Sequence, residues 1–266
     1  MITTVKLGKL EYLTAERIRA PHCFTTRLGG VSTGDLDSLN IGTHRGDRPE
    51  NVLENYRILG NAIGFDEKKL VLTKQTHTDI VRVVDEKDWS AGLFGPELPP
   101  CDGLVTNTPG TALVVFTADC TPILLHDPIT GAVGAVHAGW RGTAADIAGK
   151  AVAAMVNAFG CDPKDICAAI GPNIARCCFQ TDRDVPDAIR AVLGEAAEET
   201  IDFRDGKYYV NLKEVNARLL RRAGVTNMEI SDECTACRCD RYWSYRVVGD
   251  RRGSQGAIIV CKEGTK

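Results

Sequence analysis

Three runs rich in β-branched and other apolar residues, at 112–116, 122–126 and 132–137, follow one another closely, and the second break reads Asp127-Pro128-Ile129-Thr130-Gly131. Proline pre-sets φ for a turn and glycine accepts a positive φ, so the second and third runs are expected to pair as a hairpin. A hairpin makes neighbouring strands antiparallel, which argues against an all-parallel sheet. Further strand candidates are 70–73, 80–84, 166–170 and 257–261. Helix signals lie at 51–63, 143–159 and 212–223, the last with Leu212, Val215, Leu219 and Ala223 along one face and Gly224 as a stop. Thr143 is expected to cap the second helix, with Asp146 as the acid of its first turn. Strands and helices interleave, so the expected class is α+β, or mixed α/β.

A chain of 266 residues can bury a sizeable core, and no linker-like tract divides it, so a single domain over 1–266 is expected. The net charge of −3 comes from mixed charges, without the basic field that nucleic-acid binding requires. A small-molecule ligand is expected, with the chain a monomer or a small homo-oligomer. The N-terminal segment lacks the pattern of a secretory signal, and no apolar run approaches the length of a membrane span. The eleven cysteines therefore read as reduced thiols of a cytoplasmic protein, some of them metal ligands.

Each of His77, Cys120 and His137 stands at the edge of an apolar run, in LTKQTHTDIV, VVFTADCTPILL and GAVGAVHAGWRGT. Two imidazoles and one thiolate suit zinc or copper, and three protein ligands leave a fourth position for water or substrate, as in catalytic sites. Asp119 beside Cys120, and Gly139-Trp140-Arg141-Gly142-Thr143 after His137, place small residues and a cation between a strand end and a helix start, where amides can face an anion. The same residues also allow a metal-free Cys120 nucleophile with His137 or His77 as its base.

The segments HCFTTRLGGVSTGDLDSLNIGTHRGD (22–47), KQTH (74–77), CDGLVTN (101–107), TADCTPILL (117–125), AVHAGWRGT (135–143), AAIGPNIARCCFQ (168–180) and WSYR (243–246) occur in that order. In these the chain resembles the laccase-domain, or multicopper polyphenol oxidase-like, family, whose members are also described as purine nucleoside phosphorylases. The resemblance implies a four-layer α/β/β/α fold similar to cysteine-hydrolase toxin domains, and zinc held by His77, Cys120 and His137. It further implies Arg27 and Asn40 at a substrate or phosphate pocket, with Gln75, Asp119, Arg141 and Arg246 as additional candidates. The implied reaction is phosphorolysis of adenosine, inosine, guanosine and S-methyl-5′-thioadenosine, with some adenosine deamination. Some bacterial members are described as peptidoglycan editing factors, which implies a second function: hydrolysis of an amide in a UDP-linked cell-wall precursor.

Five histidines are fewer than a trinuclear copper cluster plus a blue-copper site would use, so polyphenol oxidation is at most a side activity. The segment after WSYR departs from the family pattern, with Arg252-Gly253-Ser254 where Thr-Gly-Arg is usual. Cys234, Cys237 and Cys239 form CxxCxC, which looks like a second metal half-site with no fourth ligand close by in sequence. The neighbouring Cys177 and Cys178 are expected to stay unlinked, because a disulfide between adjacent residues is strained. A metal-binding or redox-sensing protein without turnover is the remaining class that the cysteines suggest.

Overall fold

The computed structural model describes residues 1–262. In chain order the strands are β1 (Ile2–Leu7), β2 (Leu10–Ala15), β3 (His22–Thr25), β4 (Leu70–Leu72), β5 (Val81–Val83), β6 (Gly103–Thr106), β7 (Ala112–Thr117), β8 (Thr121–His126), β9 (Val133–Ala138), β10 (Cys167–Ile170), β11 (Gln180–Thr181), β12 (Ile201–Arg204), β13 (Lys207–Val210), β14 (Asn227–Ile230) and β15 (Gln255–Val260). The α-helices are α1 (Pro49–Ile63), α2 (Trp140–Ala144), α3 (Ile147–Phe159), α4 (Asp184–Leu193), α5 (Leu212–Arg222) and α6 (Tyr245–Val248). One six-stranded sheet runs β1-β2-β3-β15-β7-β4, a second runs β14-β10-β8-β9-β6-β5, and a small third runs β11-β13-β12. Both large sheets are mixed, since β4 pairs parallel to β7 in the first, and β5 to β6 and β10 to β14 in the second.

Successive strand residues point to opposite faces, and here both faces are apolar. On β7 and β15, Leu113, Val115, Ala257 and Ile259 pack toward the second sheet, while Ala112, Val114, Ile258 and Val260 pack toward Val52, Tyr56 and Leu59 of α1. On the second sheet, Leu104, Leu124 and Ala135 meet the first, while Ile123, Leu125 and Val136 lie against α3 and α5. The layers are therefore α, β, β, α, a mixed α/β arrangement. Covering both sheets on both faces explains why these strands read as nearly continuous apolar runs rather than alternating ones. Each fully buried Leu or Ile contributes about 1.5–3 kcal/mol.

The expected hairpin forms between β8 and β9, in antiparallel register from Thr121 opposite Ala138 to His126 opposite Val133. Its turn follows the sequence logic: Gly131 has φ 77°, and the Asp127 carboxylate accepts the Ile129 amide at 2.8 Å. The helix expected over 143–159 is two helices. Asp146 takes φ 59° between them and caps α3 by accepting the Gly149 amide at 3.0 Å. Thr143 lies inside α2 and is buried; its hydroxyl accepts from Asn216 Nδ2 at 3.0 Å, so it is a packing residue and not the cap. No helix among the described residues is long and apolar enough to cross a membrane.

Candidate active site and metal centre

Strand β7 ends in the first sheet at Thr117 and β8 begins in the second at Thr121, so Ala118-Asp119-Cys120 carries the chain from one sheet to the other. The crossing is sharp, with Asp119 at φ 92°. Its carboxylate fixes that conformation: Oδ1 accepts Thr235 Oγ1 at 2.6 Å, and Oδ2 accepts Ser244 Oγ at 3.0 Å and the Arg246 amide at 2.7 Å. Cys120 is thereby held at the tip. The β8–β9 register sets Pro122 opposite His137, which brings the buried His137 beside it.

His77 lies in the segment between β4 and β5, again with a positive φ, 61°. A left-handed conformation at a non-glycine residue needs support from its surroundings. The support is Asp102, fully buried, whose carboxylate accepts the amides of Thr76, His77 and Thr78 at 3.2, 3.0 and 2.8 Å and the Thr78 hydroxyl at 2.7 Å. The same carboxylate receives His137 Nδ1 at 2.8 Å. With Nδ1 hydrogen-bonded to this carboxylate, His137 turns Nε2 toward the space shared with Cys120 and His77, the orientation in which a carboxylate supports a metal-binding histidine.

Donor atoms of His77, Cys120 and His137 all lie within 4.8 Å of one another, with Cys120 Sγ 3.9 Å from His77 Nε2. A tetrahedral ion bound at about 2.3 Å to sulfur and 2.0 Å to nitrogen separates its donors by roughly 3.5 Å, so the set fits one ion after small adjustments. Gly139 leaves room for it. A Cβ there would stand 2.8 Å from His77 Cδ2, 3.4 Å from Cys120 Sγ and 3.6 Å from His137 Cε1.

Electrostatics are consistent with a thiolate in this position. Burial pushes the Cys120 thiol up, but the His137 charge and hydrogen bonds from both histidines outweigh it and bring the group to about 6. Burial likewise opposes the charge on His137, and the Cys120 thiolate and Asp102 more than reverse this, raising it to about 9. Asp102 falls to about 2, because the His137 and Thr78 hydrogen bonds overcome its burial. A metal ion would replace the imidazolium charge as the partner of the thiolate.

The three residues open onto a cavity of about 550 Å³. Apolar walls come from Phe116, Trp140, Ile174, Phe179 and Tyr245, and cationic groups from Arg45, Arg246 and Arg252. Burial draws Arg252 below the usual guanidinium range, Arg45 adds to that shift, and its buried Nε has no hydrogen-bond partner.

The sequence profile of the multi-copper polyphenol oxidoreductase laccase family matches residues 21–262. This chain belongs to that family. A purine nucleoside phosphorylase of Deinococcus radiodurans is 39% identical over 251 residues, 94% of this chain and 92% of its own. The purine nucleoside phosphorylase YlmD of Geobacillus stearothermophilus is 38% identical over 243 residues, covering 89% of this chain and 87% of that protein. A crystal structure of YlmD from Geobacillus stearothermophilus superimposes with a TM-score of 0.92 at 34% identity, over 99% of this chain and all of that one.

For a laccase-family member the histidine supply is decisive. His22 is occupied by the Ala15 amide and the Ala20 carbonyl, both at 2.8 Å, His44 Nε2 by Glu97 at 2.7 Å, and His126 is buried on β8 outside either group of metal-capable side chains. Among the described residues only one group that could hold a metal contains histidine, the set of His77, Cys120 and His137. That set suits a single zinc or copper ion and does not suit a multi-copper cluster.

The structure places the other expected site residues unevenly. Gln75, Asp119 and Arg246 line the cavity, but each is already engaged. The Gln75 amide pairs with both backbone groups of Phe116, at 2.6 and 2.8 Å, extending the sheet edge. Arg246 donates to the carbonyls of Cys178 and Gln180 at 2.8 and 3.0 Å. Arg27, Asn40 and Arg141 are not among the lining residues. Arg27 stacks on Trp243 at 3.8 Å and donates to the carbonyls of Asp37 and Cys239. Asn40 is fully buried and ties Gly42, Asp47 and Ser254 together. Arg141 is exposed and lies over the Trp140 ring at 4.2 Å. Sequence reasoning missed Asp102, Arg45 and Arg252, although the first two stand within quoted motifs and the third in the segment noted as a departure.

Proposed function

We propose that this chain is a zinc-dependent purine nucleoside phosphorylase, cleaving adenosine, inosine, guanosine and S-methyl-5′-thioadenosine with inorganic phosphate. The observation that carries the reading is one cavity that sets the His77, Cys120 and His137 donors alongside Arg45 and Arg252. The phosphorylase relatives described above, matched over about nine-tenths of the chain, support it.

In phosphorolysis a phosphate oxygen bonds to the anomeric carbon as the bond to the purine nitrogen breaks, and the electron pair leaves with the base. Arg45 and Arg252 would bind and orient the phosphate, because guanidinium groups present the planar donor fork that its oxygens accept. Phe116, Trp140 and Tyr245 would flank the purine and exclude water. Asp102 keeps the His137 proton on Nδ1 and the His77 backbone in place, so the donors stay aligned through turnover. Bound zinc would supply the Lewis-acid charge that stabilises negative charge developing on the leaving base or the phosphate. Adenosine deamination is proposed as a second reaction at the same cavity, with water in place of phosphate.

A second reading rests on a specific observation, the Cys120, His137, Asp102 array with its lowered thiol and raised imidazole. In this reading Cys120 Sγ attacks an amide carbonyl of a UDP-linked peptidoglycan precursor. The C–N bond breaks, the amine leaves with the proton from His137 Nε2, and water hydrolyses the thioester. Product analysis separates the two. Metal-quantified protein is incubated with adenosine and inosine, with and without phosphate, beside Cys120→Ala. Free base that requires both phosphate and Cys120 is expected; no base under any condition from zinc-loaded protein overturns the phosphorylase, and Cys120-dependent release of amine from the precursor by metal-stripped protein would favour the hydrolase.

A further inference from the structure

Four cysteine sulfurs that the cavity does not use converge on one point. Cys177 and Cys178 stand in the turn after β10, Cys234 and Cys237 in the segment after β14, and all four Sγ atoms lie within 4.8 Å of one another. Cys237 Sγ is 3.6 Å from Cys177 Sγ and 3.3 Å from Cys178 Sγ, and every one of these cysteines is free. The backbone joins the two segments directly: Asn173 and Cys234 form a parallel bridge, and the Thr235 amide donates to the Asn173 carbonyl at 3.0 Å. The Ala175 amide points at Cys234 Sγ from 3.3 Å, and the amides of Ala236 and Cys237 face the same sulfur. The buried Lys213, held by the Glu233 carbonyl at 2.6 Å, places a cation near Cys234 and Cys177.

We propose that Cys177, Cys178, Cys234 and Cys237 bind one zinc ion as a closed four-thiolate site, separate from the cavity. Thiolates about 2.3 Å from a tetrahedral ion stand roughly 3.8 Å apart, close to the separations here. An iron–sulfur cluster interposes several iron and sulfide atoms and holds its cysteines wider than this cluster does. A disulfide would use only two of the four sulfurs. Binding forms four zinc–sulfur bonds and releases the thiol protons to solvent, with no change of oxidation state. The amides facing Cys234 and the Lys213 ammonium offset the net negative charge of such a centre.

The expectation that Cys239 would belong to this half-site is corrected: the vicinal pair from a distant turn completes the set, and the Cys239 carbonyl instead accepts from Arg27 Nη1 at 3.1 Å. The position gives the ion a task. Thr235 donates to the Asp119 carboxylate, and Arg246 bonds both that carboxylate and the Cys178 carbonyl. The ion would staple together two segments that supply Ile174, Phe179, Tyr245 and Arg246 to the cavity wall.

Zinc counting under reducing conditions tests the proposal on wild type, Cys120→Ala and Cys237→Ser. Two ions per chain are expected for wild type and one for each variant. Cobalt-loaded Cys120→Ala is expected to show the intense sulfur-to-cobalt absorption of a four-thiolate tetrahedral site, a readout that leaves the cluster unmutated should Cys237→Ser not fold. One ion in zinc-saturated wild type with none in Cys120→Ala, or cobalt-loaded Cys120→Ala lacking that absorption, overturns it. So would iron in place of zinc in the protein as purified. Neither readout depends on which reaction the cavity performs.

Discussion

Nδ1 of His137 stands 2.8 Å from Oδ1 of Asp102, inside a carboxylate that also accepts three consecutive amides ending at Thr78. One buried side chain therefore sets the tautomer of one metal-binding candidate and the backbone conformation of another. The charge is tolerated because five donors surround it: three amides, the Thr78 hydroxyl and the imidazole.

Asp102→Asn keeps the shape of the side chain and removes its charge. Zinc affinity, measured by chelator competition, is expected to fall about 10- to 100-fold, the usual cost of losing the carboxylate behind a metal-bound histidine. An affinity within twofold of wild type would remove Asp102 from this role.

The same carboxyl sets an acid limit on stability. Burial pushes Asp102 up, yet its hydrogen bonds from His137 and Thr78 bring it to about 2, below its ordinary 3.8. A lowered value in the folded state contributes stability that is fully present above 3.8 and is lost as pH falls toward 2. In urea titrations the stability advantage of wild type over Asp102→Asn should shrink across that window. An advantage independent of pH would contradict the assignment.

Metal-stripped protein should expose the Cys120 thiolate. Because the pairing with His137 and His77 brings this thiol to about 6, alkylation followed by mass spectrometry should reach half its maximal rate near that pH. His137→Ala should move the midpoint up toward the ordinary thiol range, and added zinc should protect the residue. A midpoint already in the ordinary range before mutation would mean that the pair does not form.

Gly139→Ala puts a methyl group 2.8 Å from the His77 ring, so the donors must move apart. Displacements of this size cost about 100-fold in rate when a reacting site is misaligned. Reduced zinc content and a comparable loss of phosphorolysis are expected, with a melting temperature close to wild type. Full zinc occupancy and normal turnover would refute the crowding argument.

Arg252→Ala and Arg27→Ala should separate recognition from folding. Arg252 reaches the cavity with an unpartnered buried Nε, so its loss should raise the phosphate KM about tenfold or more, as for a lost charged hydrogen bond. Arg27 is spent on Trp243 and two carbonyls, and its loss should cost about 1–2 kcal/mol of stability while leaving the phosphate KM nearly unchanged. The opposite pattern would return the phosphate role to Arg27.

Much of the layer structure was legible in the chain. The runs at 112–116, 122–126 and 132–137 differ from β7, β8 and β9 by no more than one residue at either end, because buried strands and a turn with Pro128 and Gly131 carry strong local signals. The edge strands β1 and β12 were not legible, since exposed positions dilute their pattern. The place of Arg27 outside the cavity lining was not legible for a related reason. An arginine in a glycine-rich loop looks the same in sequence whether its donors face a ligand or, as here, the carbonyls of its own chain.

The donor chemistry, the apolar faces of the strands and the turn that pairs β8 with β9 could be read along the chain, because each depends on residue type and near neighbours. That Asp102 joins two segments at the site, that Arg252 and not Arg27 lines the cavity, and that Cys177 and Cys178 meet Cys234 and Cys237 emerges only on folding. Those meetings are set by strand register and by the crossing between sheets at Asp119, and contacts between distant segments leave no local pattern in the chain.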